Sequence, residues 1–279
     1  MKCFAILGYP LGHTMSPPIH ERLFVLGKQQ AEYEVLQTPP EQFEALWPYL
    51  RQLDGFNITI PYKQQIIPFC ARLDDTAKRY GAVNVVDGKN GGTGYNTDCV
   101  GFLRSLEGIP LQGEVLIAGA GGVGRMFAIE SARHGARVTL AVRHSGMEKA
   151  CGLKKEMEET IPGAAVRVTA LDELPREDTY YRWLINATPA GMYPKVDDMP
   201  LDPAVLPRCE NVFEAIYNPA RTKLMRLAQQ AGCHVIGGMA MLVWQAVQAH
   251  QYWYGAQFRE EDIAALIREM EQRMEGADE

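Results

Sequence analysis

Hydrophobic and polar positions in this 279-residue chain follow two alternating patterns. Short apolar runs rich in branched residues are typical of buried strands, and longer segments with apolar positions at helical spacing separate them. The runs that predict strands are residues 3–7, 33–36, 56–60, 83–86, 115–118, 138–142, 166–169, 183–186 and 212–216. The segments that predict helices are 16–26, 39–50, 98–106, 123–134, 147–160, 224–231, 239–254 and 262–274. This alternation predicts an α/β fold of parallel sheets with right-handed crossovers.

Turn-forming residues and the order of the predicted elements indicate two α/β domains. Gly108-Ile109-Pro110 interrupts the chain just before the apolar run at 115–118. The last two helices have no strand between them, so we expect them to fold back, one onto the first domain. Residues 1–103 and 239–279 would then form one domain, and 104–238 a Rossmann-type domain. Asn90-Gly91 is a hairpin signal within the first of these.

Charge and apolar content limit the partners. The formal net charge of −6 argues against a general nucleic-acid binder. The first apolar run is too short for a signal peptide and is typical of a strand. Residues 233–258 lack charged side chains, but Gln245 and His250 fall inside this segment and favour a buried core helix over a membrane span. We therefore expect a cytoplasmic protein with no membrane partner.

The six cysteines and six histidines give no metal-ligand signal. No two cysteines have C-x-x-C spacing, and no H-E-x-x-H is present. We expect reduced and mostly buried thiols, and no metal site.

The run 115–118 leads into the glycine pattern that dominates the second half of the chain. Gly119, Gly121 and Gly124 fill the three positions of G-x-G-x-x-G between a predicted strand and a predicted helix. In dinucleotide-binding folds these glycines permit a tight turn, close approach of a pyrophosphate and close helix packing. Free N–H groups at the helix start then hold the phosphates. The alternative is a glycine-rich turn that binds nothing.

Polar clusters follow predicted strands in the first half, where open α/β sheets bind ligands. Thr14 and Ser16 offer hydroxyls beside a helix N-terminus, which favours a carboxylate, although simple capping by Ser16 explains them equally well. Asn57 and Thr59 would share one face of a strand, with Lys63 returning to that side after Pro61.

Asp98 is the third feature of this kind. It opens a predicted helix, so N-capping is one interpretation of its carboxylate. Pairing with a lysine is the other, since such a pair can move a proton while a dinucleotide takes or gives a hydride.

Together these segments resemble the shikimate dehydrogenase family over nearly the whole chain. The blocks that carry the resemblance are residues 8–17, 57–63, 81–84, 94–101, 119–124, 186–192, 217–219 and 238–245. The resemblance implies NADP-dependent interconversion of 3-dehydroshikimate and shikimate in aromatic amino-acid biosynthesis. It also implies that residues 1–103 and 239–279 bind the substrate and that 104–238 bind NADP. Both ligands would then lie in a cleft between the domains.

Site roles follow from the same resemblance, position by position. Lys63 and Asp98 would form the catalytic pair, and Thr14 and Ser16 would bind the substrate carboxylate. The residues implied to line the ring hydroxyls are Asn57, Thr59, Asn84, Tyr217 and Gln245. The residues implied to bind the cofactor are Gly119, Ala120, Gly121, Gly122, Val123, Gly124, Arg143, Thr188, Ala215 and Gly238. Of these, Ala215 and Gly238 would lie near the nicotinamide.

Three departures from the family pattern bear on these expectations. Thr14 stands where the family usually has Ser, and Glu214 where it often has Asp. The NADP-specific members typically carry Asn-Arg-Thr after the second Rossmann strand, and here residues 142–144 are Val-Arg-His. Arg143 and the absence of an acid there favour NADP, while use of NAD stays open.

Two rival functions and the oligomeric state also stay open. One rival is a quinate or quinate/shikimate dehydrogenase with NAD or dual cofactor use. The other is a ligand-binding protein of the same fold without catalysis, against which the intact Lys63 and Asp98 argue. A monomer or a homodimer is expected.

Overall fold

The computed structural model describes residues 1–12, 14–88, 92–176 and 178–276. The chain divides into two compact units. The first consists of Met1–Gly101 and Leu242–Met270, and the second of Phe102–Met241 and the segment that begins at Glu271. Each unit contains one six-stranded sheet among the described residues.

The sheet of the first unit is mixed. Its strand order is β2-β1-β3-β5-β6-β4. The strands are β1 (Lys2–Gly8), β2 (Ala31–Gln37), β3 (Gly55–Ile58), β4 (Arg72–Leu73), β5 (Val85–Asp87) and β6 (Thr93–Tyr95). β1 pairs in parallel with β2 and β3, whereas β5 is antiparallel to both β3 and β6.

The expectation of a parallel sheet is therefore wrong for β5, which is antiparallel to both of its neighbours. Only five residues separate β5 from β6, too few for the crossover that a parallel pair requires. The Asn90-Gly91 turn signal lies outside the described residues, but the strands on either side pair in antiparallel register, with Val86 opposite Gly94. The predicted strand 56–60 also ends earlier, at Ile58, so Thr59 follows β3.

Helices cover the first sheet. They are α1 (Ser16–Leu26), α2 (Phe43–Leu50), α3 (Asp75–Tyr80) and α4 (Asp98–Ser105), of which α3 was not predicted. α8 (Gly238–Tyr254) and α9 (Glu260–Glu275) follow at the end of the chain. The α8 residue Trp253 stacks on Phe4 at 4.5 Å between ring centroids, and its indole N–H donates to the Val86 carbonyl oxygen at 3.0 Å. This aromatic packing fixes α8 on the strands of the first sheet.

The second unit contains an all-parallel sheet, as predicted. Its strands are β7 (Gly113–Ala118), β8 (Ala136–Val142), β9 (Ala165–Ala170), β10 (Tyr181–Asn186), β11 (Cys209–Glu214) and β12 (His234–Ile236). Their order is β12-β11-β10-β7-β8-β9. Numbered within the unit, this is the Rossmann order 6-5-4-1-2-3. The order reverses between β7 and β10, so a dinucleotide site is expected at the carboxyl ends of those strands.

Among the described residues, the α-helices that connect the strands of the second sheet are α5 (Gly122–Arg133), α6 (Met147–Thr160) and α7 (Lys223–Gln230). Fully buried Leu116, Leu184 and Val212 come from neighbouring strands and form one core with Leu224 of α7. Among the described residues, no helix has both the length and the apolarity that a membrane span requires.

Candidate active site

Lys63 and Asp98 form a close ion pair in the first unit. Lys63 Nζ donates to Asp98 Oδ2 at 2.6 Å, with side-chain exposures of 30% and 17%. The other carboxylate oxygen accepts from Asn84 Nδ2 at 2.7 Å. Asp98 is the first residue of α4, and its carboxylate lies between these two donors. The pairing interpretation of Asp98 thus prevails over the capping one.

The backbone brings this pair together through Asn84. The Val83 N–H donates to the Lys63 carbonyl oxygen at 2.7 Å, which ties the chain after β3 to the residue before Asn84. Asn84 Oδ1 accepts from the Thr97 N–H at 2.7 Å, immediately before Asp98. Since Asn84 is only 3% exposed, its amide is held by protein contacts and fixes both partners of the ion pair.

Gln245 joins the same cluster from α8. Thr97 Oγ1 donates to Gln245 Oε1 at 3.4 Å and also accepts from Asn84 Nδ2 at 3.1 Å. Gln245 Nε2 donates to the Leu242 carbonyl oxygen one helical turn earlier. Thr97 was not predicted as a site residue, although it lies inside the polar segment that ends at Asp98.

Thr14 and Ser16 lie at the start of α1. The Thr14 hydroxyl accepts from the Ser16 N–H at 3.2 Å. Ser16 is the first helical residue rather than the cap, and the residue before it, Met15, makes no side-chain capping bond. The capping interpretation of Ser16 is therefore wrong. Both residues lie at a helix start, where the dipole favours an anion.

Asn57 and Thr59 follow one another at the end of β3. Asn57 lies opposite Val85, and the Ile58 N–H donates to the Asn84 carbonyl oxygen at 2.8 Å, so the backbones that carry the two asparagines are adjacent. The Thr59 N–H donates to the Leu7 carbonyl oxygen at 2.8 Å, and a Cβ added at Gly8 would lie 2.5 Å from the Thr59 methyl group. Gly8 therefore makes room for Thr59 at the end of β1.

The glycine loop of the second unit has the geometry of a phosphate cradle. Gly119 follows β7 with φ +99°, which favours glycine. A Cβ at Gly124 would lie 2.4 Å from the Gly119 carbonyl oxygen, so the helix packs against the turn. A Cβ at Gly121 or Gly122 would meet nothing within 4 Å, which leaves the space beside Ala120 and Val123 open to a ligand.

A buried carboxylate supports the neighbouring loops. Glu214 at the end of β11 is fully buried and accepts from Asn186 Nδ2 at 2.9 Å, from the Ile216 N–H at 3.1 Å and from Thr222 Oγ1 at 3.0 Å. Burial raises the pKa of Glu214 to about 7, although these three donors oppose the rise. Asn186 Oδ1 in turn accepts from the Thr188 N–H at 2.9 Å. Glu214 was noted only as a departure from the family, and Asn186 was not predicted.

Ala215 and Gly238 are in contact. A Cβ at Gly238 would lie 2.5 Å from the Ala215 carbonyl oxygen, so only glycine fits there without a shift. Tyr217 and Gly238 line a cavity of about 370 Å³ in the second unit, and burial raises the pKa of the Tyr217 phenol. The predicted nicotinamide neighbours therefore come together, and Tyr217 lies beside them.

Arg143 follows β8 and is exposed. In the described part of the chain, no hydrogen bond or ion pair is recorded for its guanidinium group. The next residue, His144, lies 3.2 Å from Asp172 Oδ2, a contact that lowers the pKa of that carboxyl. Arg143 is thus a free cation at the strand end where Rossmann folds read the adenosine ribose.

Comparisons with known proteins give the family. A model of the shikimate dehydrogenase substrate binding domain matches residues 6–86. The NADP(+) shikimate dehydrogenase of Moorella thermoacetica is 34% identical over 284 residues, covering 97% of this chain and 92% of that protein. The chain belongs to the shikimate dehydrogenase family. The NADP(+) shikimate dehydrogenase of Bacillus cereus is also 34% identical, and the match covers 91% of this chain and 93% of the Bacillus cereus protein.

Solved structures of the shikimate dehydrogenase family share the whole fold. The shikimate 5-dehydrogenase of Thermus thermophilus, in complex with NADP(H) and shikimate, is 30% identical with a TM-score of 0.83. The match covers 97% of this chain and all of that one. The predicted family and α/β fold class are confirmed.

The thiols of this shikimate dehydrogenase family member depart from expectation. All six cysteines are free, but only Cys99, Cys209 and Cys233 are buried, while Cys3 and Cys151 are exposed. The expectation of mostly buried thiols is wrong, because Cys3 lies near the exposed start of β1 and Cys151 lies on the open face of α6. In the described ranges, no cluster of three or more metal-ligating side chains is present.

Proposed function

We propose that this protein is an NADP-dependent shikimate dehydrogenase that interconverts 3-dehydroshikimate and shikimate. The observation that carries the proposal is the Lys63–Asp98 ion pair at 2.6 Å, in a chain that matches NADP(+) shikimate dehydrogenases over more than nine-tenths of its length. The same chain contains a Rossmann sheet with a glycine loop, which supports the proposed use of a dinucleotide cofactor.

The substrate would be held by residues of the first unit. Thr14 and Ser16 offer hydroxyl donors for the carboxylate at the start of α1. The residues proposed for the ring hydroxyls are Asn57, Thr59, Asn84 and Gln245, and the family resemblance adds Tyr217. Polar side chains that match each hydroxyl discriminate strongly against analogues that lack one.

The Lys63–Asp98 pair would move the proton. During shikimate oxidation the reacting hydroxyl loses its proton to the pair, with Lys63 as the group nearest the substrate. Asp98 holds the ammonium in place, and Asn84 holds Asp98 through the 2.7 Å bond to its other oxygen. In the reverse direction the same pair returns the proton to the carbonyl oxygen of 3-dehydroshikimate.

The second unit fits NADP. The open space at Gly121 and Gly122 and the N–H groups at the start of α5 suit the pyrophosphate, and Arg143 suits the 2′-phosphate. Bound NADP⁺ supplies the hydride acceptor. Thr188, Ala215 and Gly238 would line the nicotinamide end. A cytoplasmic location and a monomeric or homodimeric state belong to the same proposal, and neither is needed for the chemistry.

One assay tests the function. The purified protein is incubated with shikimate or quinate, each with NADP⁺ or NAD⁺, and formation of the reduced nicotinamide is followed by absorbance. We expect the highest catalytic efficiency with shikimate and NADP⁺. Faster turnover of quinate would assign the chain to quinate oxidation, and no turnover with any pair would indicate a binding protein.

A further inference from the structure

Tyr33 contacts one of the proposed substrate-binding side chains from outside the set. Its phenol O–H donates to Asn57 Oδ1 at 2.7 Å. Asn57 is only 5% exposed, so its side chain is held mainly by protein. The phenol therefore ties β2 to the end of β3.

Only a long side chain can make this connection. β2, which carries Tyr33, is separated from β3 by β1. Neighbouring strands lie about 4.8 Å apart, so two strand spacings separate the backbones that carry Tyr33 and Asn57. The register places Tyr33 opposite Phe4 and Asn57 opposite Ile6, which puts both side chains on one face of the sheet. The phenol reaches across the central strand on that face.

The bond to Tyr33 also orients the Asn57 amide. The phenol donates to the amide oxygen of Asn57, so Oδ1 faces Tyr33. With Oδ1 used in this way, Asn57 Nδ2 is the donor that is left. Within the described ranges no acceptor is recorded for Nδ2, and it is not among the buried atoms without a partner, so it is open to a ligand.

Two neutral histidines hold the Tyr33 ring from behind. The His20 ring stacks on Tyr33 with centroids 4.3 Å apart and planes 11° apart. His20 Nδ1 lies 2.8 Å from His250 Nε2, and His250 Nδ1 lies 2.5 Å from the Tyr254 oxygen. Burial lowers the pKa of His20 to about 3 and that of His250 well below its usual value, so both rings stay neutral.

The tautomers of His20 and His250 follow from the one ring nitrogen of this pair that has no hydrogen-bond partner among the described residues. His20 Nε2 is buried without a partner in the described part of the chain. A buried N–H without an acceptor is costly, so the proton is on His20 Nδ1 and is donated to His250. His250 then donates from Nδ1 to Tyr254. This fixed chain locks the face of His20 against Tyr33.

We propose that Tyr33 is a positioning residue of the substrate site, which turns the Asn57 N–H donors toward a ring hydroxyl of the substrate. This inference rests on the proposed shikimate dehydrogenase function. Tyr33 touches no reacting atom and acts through Asn57.

The test is a double-mutant cycle of Tyr33→Phe and Asn57→Ala, with shikimate and NADP⁺ as substrates. Tyr33→Phe removes one oxygen and keeps the stacked ring, so the melting temperature should change little. We expect its KM for shikimate to rise roughly 5- to 10-fold, the scale of one hydrogen bond, with kcat and the KM for NADP⁺ changed less than about 2-fold. In the Asn57→Ala background the same substitution should add less than about 2-fold, since its target is gone.

Tyr49→Phe is the matched control. It also removes a phenol from the first unit, where Tyr49 donates to exposed Glu34 at 2.6 Å, and its KM should stay at the wild-type value. If the wild type is active but Tyr33→Phe leaves the KM unchanged, or if the effects in the cycle are additive, the role of Tyr33 is overturned and the proposed function stands. A wild type that does not oxidise shikimate would overturn the proposed function, and the Tyr33 inference with it.

Discussion

The Nζ atom of Lys63 lies 2.6 Å from Oδ2 of Asp98, although 35 positions separate the two residues in the chain. The contact depends on Asn84, which donates to the same carboxylate and accepts from the N–H of Thr97. Both charged side chains keep part of their surface accessible, so the pair can reach a ligand. An ion pair that is supported by a buried amide and partly open to solvent is suited to proton transfer rather than to stability alone.

Lys63→Ala should reduce turnover of shikimate by two or more orders of magnitude, because it removes the proton-transfer group and its positioning. Binding of NADP should change little, since the glycine loop belongs to the other unit. Steady-state kinetics and a cofactor titration check both statements.

Lys78→Ala is the control for loss of a lysine. Lys78 pairs with Asp75 at 3.6 Å on the exposed surface of α3, and its removal should leave turnover unchanged. Near-normal turnover in Lys63→Ala would remove Lys63 from the mechanism.

Sequence patterns predict the glycine loop, because it depends on a local signal, whereas the Lys63–Asp98 pair is implied by the family resemblance, because its two residues are 35 positions apart. Gly119 to Gly124 lie between a strand and a helix, and Pro61 ends an apolar run two residues before Lys63. The bond from Asn186 to Glu214 could not be predicted, because the two residues are 28 positions apart and meet only through the pairing of β10 with β11.

Tyr33 shows the same limit. Its target depends on the register of β2 and β3 against β1, and register is not visible in the sequence of any one strand. Strands of two or three residues, such as β4 and β6, are also too short to give a periodic pattern.

A pair of glycine substitutions separates ligand contact from folding at the phosphate cradle. Gly121→Ala adds a methyl group where the protein leaves open space, so stability should be near wild type while the KM for NADP⁺ rises at least 10-fold. Gly124→Ala forces a methyl group to 2.4 Å from a backbone oxygen and should destabilise the protein by about 1–3 kcal/mol. Melting temperature and cofactor KM are measured for each.

Gly152→Ala in α6 is the control for an added methyl group, because nothing lies within 4 Å of its Cβ position. It should alter neither cofactor KM nor turnover. If Gly121→Ala binds NADP normally, the cofactor does not approach this loop.

Glu214 should make stability fall as pH rises. Its folded pKa of about 7 lies above the ordinary 4.5, so the folded state holds a proton that the unfolded state has lost. The contribution of Glu214 to the free energy of unfolding is therefore greatest below about pH 4.5 and decreases between pH 4.5 and 7. Above pH 7 it is lower by about 3 kcal/mol. Glu214→Gln removes this titration, so the variant should gain in melting temperature relative to wild type as pH increases through that window. If the melting temperatures of the two proteins change in the same way with pH, the Glu214 pKa is not raised.

Arg143 should decide cofactor preference. An NAD-selective Rossmann site has an acid at the end of the second strand to bind the ribose 2′-hydroxyl. Here β8 ends at Val142, and the exposed guanidinium of Arg143 follows, without a recorded partner among the described residues. A 2′-phosphate would supply that partner through charge-assisted hydrogen bonds.

Arg143→Ala should therefore lower kcat/KM with NADP⁺ about 10- to 100-fold, the scale of a hydrogen bond to a charged group, and leave kcat/KM with NAD⁺ within about 2-fold. Arg137→Ala is the matched control, because Arg137 lies on the same strand and pairs with Glu114 at 2.6 Å. It should leave the ratio of the two efficiencies at the wild-type value. Equal losses with both cofactors in Arg143→Ala would mean that the arginine contacts a part that NAD and NADP share, and the 2′-phosphate contact would then have to come from His144 or Ser145.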